Sequence, residues 1–152
     1  MQEEGVSIDY ISGTSSGSIV ASMYACGYTT TEMYNIFKKY ARNIKYFDSR
    51  NVFKFVKDLV LHRDIMVSGL NSGNSIYYLA KDITNAKGIK TIDEVQMPLL
   101  IPAVNIKTED LYVFYSKSIS GLGNSKIKYI NDIELAGAIR ASCSYPRYIF
   151  TI

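Results

Sequence analysis

Apolar and polar positions alternate along the chain in two different periods. The first apolar run, Val6 to Ser12 (VSIDYIS), lies between Gly5 and Gly13 and predicts a short strand. Directly behind it, Gly17 to Cys26 carries Ile19, Val20, Ala21, Met23, Tyr24, Ala25 and Cys26. That run is apolar on every side, which predicts a helix buried all round, with Gly27 as the residue that stops it. From Thr29 the period becomes 3.6: Met33, Ile36, Phe37, Tyr40, Ala41 and Ile44 share one helical face, and Thr29 with Glu32 forms a capping box at its start. A third helix is expected over Val52 to His62, with Val52, Phe55, Val56 and Leu59 in phase. A fourth is expected over Ser75 to Ala86, with Ile76, Leu79, Ala80 and Ile83 in phase and Lys87-Gly88 at its end.

The period then shortens. Leu99 to Ile106 and Leu111 to Tyr115 read as strands, the first so uniformly apolar that a central place in the sheet is expected. Gly121 to Ser125 reads as a turn and Ile127 to Ile130 as a short strand. Asp132 is expected to cap a last helix over Ile133 to Ser142, whose Ala and Gly content suits close packing. Strand, helices, strands and helix in that order predict the α/β class. The Gly/Asn/Ser segments Ser68 to Ser75 and Ser118 to Ser125 are too short to separate domains, so a single domain is expected over 1–152.

Composition narrows the functions without choosing one. The 152 residues are 47% hydrophobic and 20% charged, which excludes wholesale disorder. A net charge of +3 is too mild to imply nucleic-acid binding. Two cysteines, Cys26 and Cys143, make no disulfide framework and read as small core residues in a reducing compartment. The start, Met-Gln-Glu-Glu-Gly, has no basic and apolar leader, and no run reaches the ~20 apolar residues of a membrane helix. A soluble, cytoplasmic protein is therefore expected, with peripheral membrane contact left open. No cofactor and no metal site is expected.

The sharpest chemistry lies at Gly13-Thr14-Ser15-Ser16-Gly17, a G-x-S-x-G sequence at a strand end that opens a helix. In a nucleophile elbow the strand turns sharply, so the serine takes a strained backbone conformation and glycines two positions away on either side relieve crowding. The Ser15 hydroxyl would then stand at a helix N-terminus, where free N–H groups favour an oxyanion. The plain alternative is a Gly/Ser turn that only links strand to helix. A phosphate-binding P-loop needs a lysine after its last glycine, and Gly17 is followed by Ser18 and Ile19. The activating base is not evident. The sole histidine, His62, ends a predicted amphipathic helix beside Arg63 and Asp64, and none follows it. Asp9 lies six residues before Ser15 on an extended segment, roughly 20 Å away at about 3.3 Å per residue. Asp110 and Asp132 read as turn and cap residues.

The block Ile8 to Ala21 (IDYISGTSSGSIVA) closely resembles the nucleophile block of patatin-like phospholipases. Ala138 to Phe150 (AIRASCSYPRYIF) is similar to that family's A-I-x-A-S-x-x-x-P-x-x-F segment, and Met97 to Asn105 to its central strand. The resemblance implies a three-layer α/β fold, a mostly parallel sheet with helices on both faces. It implies a Ser–Asp dyad without histidine, with Ser15 forming an acyl-enzyme from a lipid ester. It also implies a glycine-rich oxyanion loop before the first block and a D-G-[GA] motif after the last. Neither occurs here: four residues precede Gly5, and none of the eight aspartates is followed by glycine. The expectation is a chain from the middle of a patatin-like domain, holding the nucleophile but not the base, and weak as a catalyst alone. A catalytically inactive lipid- or anion-binding fragment and a soluble esterase or thioesterase are the other readings.

One charge cluster adds a partner. From Lys38 to Arg63 eight basic residues face two acidic ones, a net of +6, with Tyr40, Tyr46, Phe47 and Phe53 interleaved. Lys38, Lys39, Arg42 and Lys45 are candidates for contact with a membrane surface or phospholipid head groups. The same charges keep helical phase with the apolar stripe, so two amphipathic helices with ordinary solvated faces are the plainer account of them.

Overall fold

The structure, a computed structural model, describes residues 7–43, 73–105, 107–117 and 127–144. In chain order it comprises β1 (Ile11–Ser12), α1 (Ser16–Ala25), α2 (Thr30–Asn43), α3 (Gly73–Ala86), a 3-10 turn (Ile92–Glu94), β2 (Leu99–Val104), β3 (Leu111–Tyr115), β4 (Ile127–Ile130) and α4 (Leu135–Cys143). The helix expected over Val52 to His62 and the turn at Gly121 to Ser125 lie outside the described residues.

The four strands form one sheet in the order β1-β2-β3-β4. β1 runs parallel to β2 and β3 parallel to β4, while β2 and β3 are antiparallel neighbours, so the sheet is mostly parallel and the class is α/β as expected. β2 is an inner strand. It ends at Val104 rather than Ile106 because Asn105 turns the chain: its N–H donates to the Asp110 carbonyl at 3.0 Å and its side-chain oxygen accepts from Lys107 N–H at 2.9 Å.

β1 is shorter than its apolar run. A strand residue points its N–H and C=O to the same side, and Pro98 accepts from Ile11 N–H at 3.0 Å. Pro98 therefore shows β1 an acceptor but no donor, and the ladder begins there.

α1, α3 and α4 pack on one another, and α1 and α4 also rest on β2. The core lies between these helices and one sheet face. Leu99 and Ile101 of β2 and Phe114 of β3 supply the sheet side, and Met23, Leu135 and Ile139 the helix side, all buried. The opposite face shows Leu100, Pro102, Val113 and Tyr115 half-buried. α1 is not apolar-buried all round: Val20 is 45% exposed, while Ser18 and Ser22 are buried. Serine is short enough for close packing, and the Ser18 hydroxyl donates to the Ser15 carbonyl.

Two helix starts show how capping works here. Thr29 accepts from Glu32 N–H at 3.2 Å while the Glu32 carboxylate accepts from Thr29 N–H at 2.7 Å, the reciprocal box expected for α2. On α2, Met33 is buried and Ile36 and Tyr40 half-buried, whereas Phe37 sits at the margin of the stripe, 38% exposed. Asp132, by contrast, caps nothing. The Ile133 carbonyl accepts from Ile92 N–H at 3.0 Å and Leu135 N–H donates to the Lys90 carbonyl at 2.9 Å. Those backbone groups are committed to the 90–92 segment, so α4 starts only at Leu135. Nor does Gly137 mediate a close approach, since an added Cβ would meet Glu134 and Ile133 at 3.9 Å, an ordinary contact.

Candidate functional site: the turn from β1 into α1

β1 leaves the sheet at Gly13, whose N–H donates to the Leu100 carbonyl at 3.1 Å. Two residues later Ser15 has φ 54° and ψ −130°. For a residue with a Cβ this conformation costs on the order of 1–3 kcal/mol and survives only where its surroundings fix it. They do so from several directions. The Ser15 carbonyl accepts from Ser18 N–H at 2.9 Å and from the Ser18 hydroxyl at 2.6 Å, and the Thr14 carbonyl accepts from Gly17 N–H at 3.0 Å. Ser15 N–H donates to the Ser142 hydroxyl oxygen at 3.0 Å, across 127 positions of sequence. That hydroxyl in turn donates to the Pro102 carbonyl at 2.7 Å.

The two motif glycines differ. A Cβ on Gly13 would stand 2.3 Å from the Gly17 carbonyl oxygen, 2.6 Å from its carbon and 2.8 Å from the Ala21 methyl, so glycine is required there. A Cβ on Gly17 meets nothing within 4 Å. The expectation that both must lack bulk is therefore corrected: Gly17 presents its backbone, not its missing side chain, to the tight contact.

Thr14, Ser15, Ser16 and Gly17 are all exposed. The Ser15 side chain thus stands in the open at the N-terminus of α1, and Ser16 N–H makes no backbone hydrogen bond among the described residues. A serine oxygen beside the Ser16 N–H at a positive helix end can serve as a nucleophile, with the oxyanion of the intermediate stabilised there.

No base is joined to it among the described residues. Asp9 is exposed, Asp82 accepts from the Tyr40 hydroxyl at 3.0 Å, and Asp110 pairs with Lys128, which holds its carboxyl below the usual range. Asp48, Asp58, Asp64 and His62 lie outside the described residues. No cluster of His, Cys, Asp and Glu suited to a metal occurs among the described residues. Both thiols are half-buried. Burial pushes Cys26 up to about 11, partly offset by Lys87, and also raises Cys143, whose sulfur lies 3.8 Å from the Ser18 hydroxyl.

The basic candidates fall elsewhere. Lys38 and Lys39 are exposed on α2, with the Lys38 ammonium 5.6 Å from the Tyr34 ring centre. Arg42 lies in the last turn of α2, and Lys45 lies outside the described residues. Tyr34 is 63% exposed beside them.

Ser142 has no role in the pattern of the chain, although it falls within the Ala138 to Phe150 block. Its signals in the sequence are a small hydroxyl near a helix end and its place as the serine of the A-I-x-A-S segment, and neither says what that hydroxyl bonds to.

Two comparisons bear on this site. A chain from Bacillus subtilis, the uncharacterized protein YqhO, is 26% identical over 148 residues, covering 97% of this chain and 49% of that protein. The chain thus spans about half the length of the curated relative it matches. The model of the patatin-like phospholipase family matches residues 1–149, from before β1 to beyond α4, and by that match the chain belongs to the patatin-like phospholipase family.

Proposed function

We propose that Ser15 is the nucleophile of a lipid acyl-ester hydrolase of the phospholipase A or lysophospholipase kind, working in a Ser–Asp dyad. The observation that carries this reading is the backbone of Ser15, held at φ 54° with its side chain exposed at the start of α1. Membership of the patatin-like phospholipase family supports hydrolysis of lipid esters.

In the proposed reaction the Ser15 Oγ attacks the acyl carbonyl carbon and its proton passes to an aspartate. The carbonyl oxygen becomes an oxyanion near Ser16 N–H, at the helix end. Collapse breaks the ester bond, and the protonated aspartate gives its proton to the departing alcohol. Water, deprotonated by the same carboxylate, then attacks the acyl carbon, and the aspartate returns that proton to Ser15 Oγ as the acyl–oxygen bond breaks and the fatty acid leaves. None of the described carboxylates is joined to Ser15, so the base is assigned to no residue here. Residues 1–152 are proposed to belong to a single acyl-hydrolase domain of this kind.

The α2 surface is proposed to meet anionic head groups. Exposed Lys38 and Lys39 stand beside exposed Tyr34 and Phe37, a cationic and aromatic combination suited to a lipid–water boundary. No helix among the described residues is long and apolar enough to cross a membrane. Liposomes with anionic lipid should therefore lose the protein when Lys38, Lys39 and Arg42 become Glu; unchanged binding removes the membrane-contact proposal.

Hydrolysis of micellar phospholipid and of a monomeric nitrophenyl ester by the full-length protein tests the activity, with Ser15→Ala as control. Micellar preference lost in Ser15→Ala is expected. Monomeric preference would favour a soluble esterase or thioesterase, and lipid binding without turnover an inactive binding module.

A further inference from the structure

We infer that Ser142 is a positioning residue for Ser15: its hydroxyl replaces the sheet rung that β1 gives up when it turns into α1. This rests on the proposed role of Ser15. The register carries the inference. Ile11 N–H donates to the Pro98 carbonyl at 3.0 Å and Gly13 N–H to the Leu100 carbonyl at 3.1 Å. The next rung of that parallel ladder would join Ser15 N–H to the Pro102 carbonyl. Instead both groups bond to one oxygen, with Ser15 N–H donating to Ser142 Oγ at 3.0 Å and Ser142 Oγ–H donating to the Pro102 carbonyl at 2.7 Å.

A hydroxyl fits this place because it accepts and donates through one atom. It widens the rung by one oxygen, the separation the chain needs to peel off β2 while staying tied to it. Pro102 suits the same position. Its N–H would point toward β1, where no partner strand remains, and proline has none to leave unpaired. Ser142 reaches the rung because α4 packs against both α1 and β2. Its bond to Ser15 N–H also means that this donor is occupied and that the oxyanion must rely on others.

The hydroxyl therefore sets the height and angle of the Ser15 backbone over the sheet, and the direction of its side chain. Three variants of the full chain test this: Ser142→Ala removes the rung, Ser142→Cys substitutes a weak donor and acceptor of similar size, and Ser142→Thr keeps the hydroxyl. Amide hydrogen exchange of Ser15 N–H reads the geometry without needing activity. It should quicken about tenfold in Ala and Cys, the scale of one lost hydrogen bond, and stay near wild type in Thr. Ester hydrolysis reads the consequence. kcat should fall about 10- to 100-fold in Ala and Cys with KM little changed, and Thr should restore it.

Unchanged Ser15 exchange in folded Ala and Cys variants would overturn the inference. So would a Thr variant as impaired as Ala, or a loss confined to KM. If the wild-type protein does not turn over ester at all, the proposed function fails while the exchange result still decides the role of Ser142.

Discussion

Replacing each motif glycine by alanine should move stability in opposite directions. At Gly13 the new methyl carbon would stand 2.3 Å from the Gly17 carbonyl oxygen and 2.6 Å from its carbon, both backbone atoms, and 2.8 Å from the Ala21 methyl. No flexible side chain is available to give way, so β1 or α1 must shift. Overpacking of this kind costs about 1–3 kcal/mol, and backbone contacts place Gly13→Ala at the upper end. For a chain of 152 residues, about 3 kcal/mol lowers Tm by roughly 6–12 °C. At Gly17 a methyl meets nothing within 4 Å and the backbone lies outside the left-handed region. As the second residue of α1, Gly17→Ala should stabilise by about 0.4–1 kcal/mol through lower unfolded-state entropy. Thermal unfolding of both variants, with urea midpoints as a second probe, checks the pair. A Gly13→Ala protein as stable as wild type, or a Gly17→Ala protein as damaged as Gly13→Ala, would refute the reasoning.

Three further substitutions probe the frame around the turn. Tyr28 is buried and its hydroxyl donates to the Ile83 carbonyl at 2.7 Å, tying the α1–α2 junction to α3. Tyr28→Phe should cost about 1–1.5 kcal/mol in urea unfolding, and a neutral result would mean that water replaces the bond. The Ser22 hydroxyl is buried with no partner among the described residues, so Ser22→Ala should be neutral or stabilising by up to about 1 kcal/mol; a clear loss of Tm would reveal a partner. The Glu32 carboxyl is held below its ordinary 4.5, first by Thr29 N–H, then by the Thr29 hydroxyl and Lys87. A depressed folded-state value means that its stabilisation is present above 4.5 and is lost as pH falls through the lower folded value. Tm of Glu32→Gln should thus lie below wild type near neutrality and converge with it in acid, and a constant gap would contradict the assignment.

Local signals carried through the fold wherever the cause was local. The Thr29–Glu32 box starts α2 because both partners lie within one turn. β3 and β4 match their predicted runs at both ends, and the two pair with each other over Leu111–Phe114 and Ile127–Ile130. The failures involve distant partners. β1 is cut short by a proline just before β2, and Asp132 loses its cap because the 90–92 segment takes the neighbouring backbone groups. At the site, the G-x-S-x-G spacing located the turn, and the need for Gly13 was legible from the elbow geometry. The ease of Gly17 was not, because it depends on which way an absent Cβ would point. Ser142 stayed hidden for a different reason: its role exists only once α4 is packed against β2, which no period or spacing encodes.

The central claim is that the strained, exposed Ser15 is an activated nucleophile. Fluorophosphonate labelling of the full-length protein, with the modified peptide located by mass spectrometry, tests it most directly, because the reagent reacts with activated serines and spares ordinary ones. A single covalent adduct is expected on Ser15, abolished in Ser15→Ala and retained when Ser16 or Ser18 is replaced by Ala. A folded protein that takes no label, or that takes it on a serine other than Ser15, would contradict the claim.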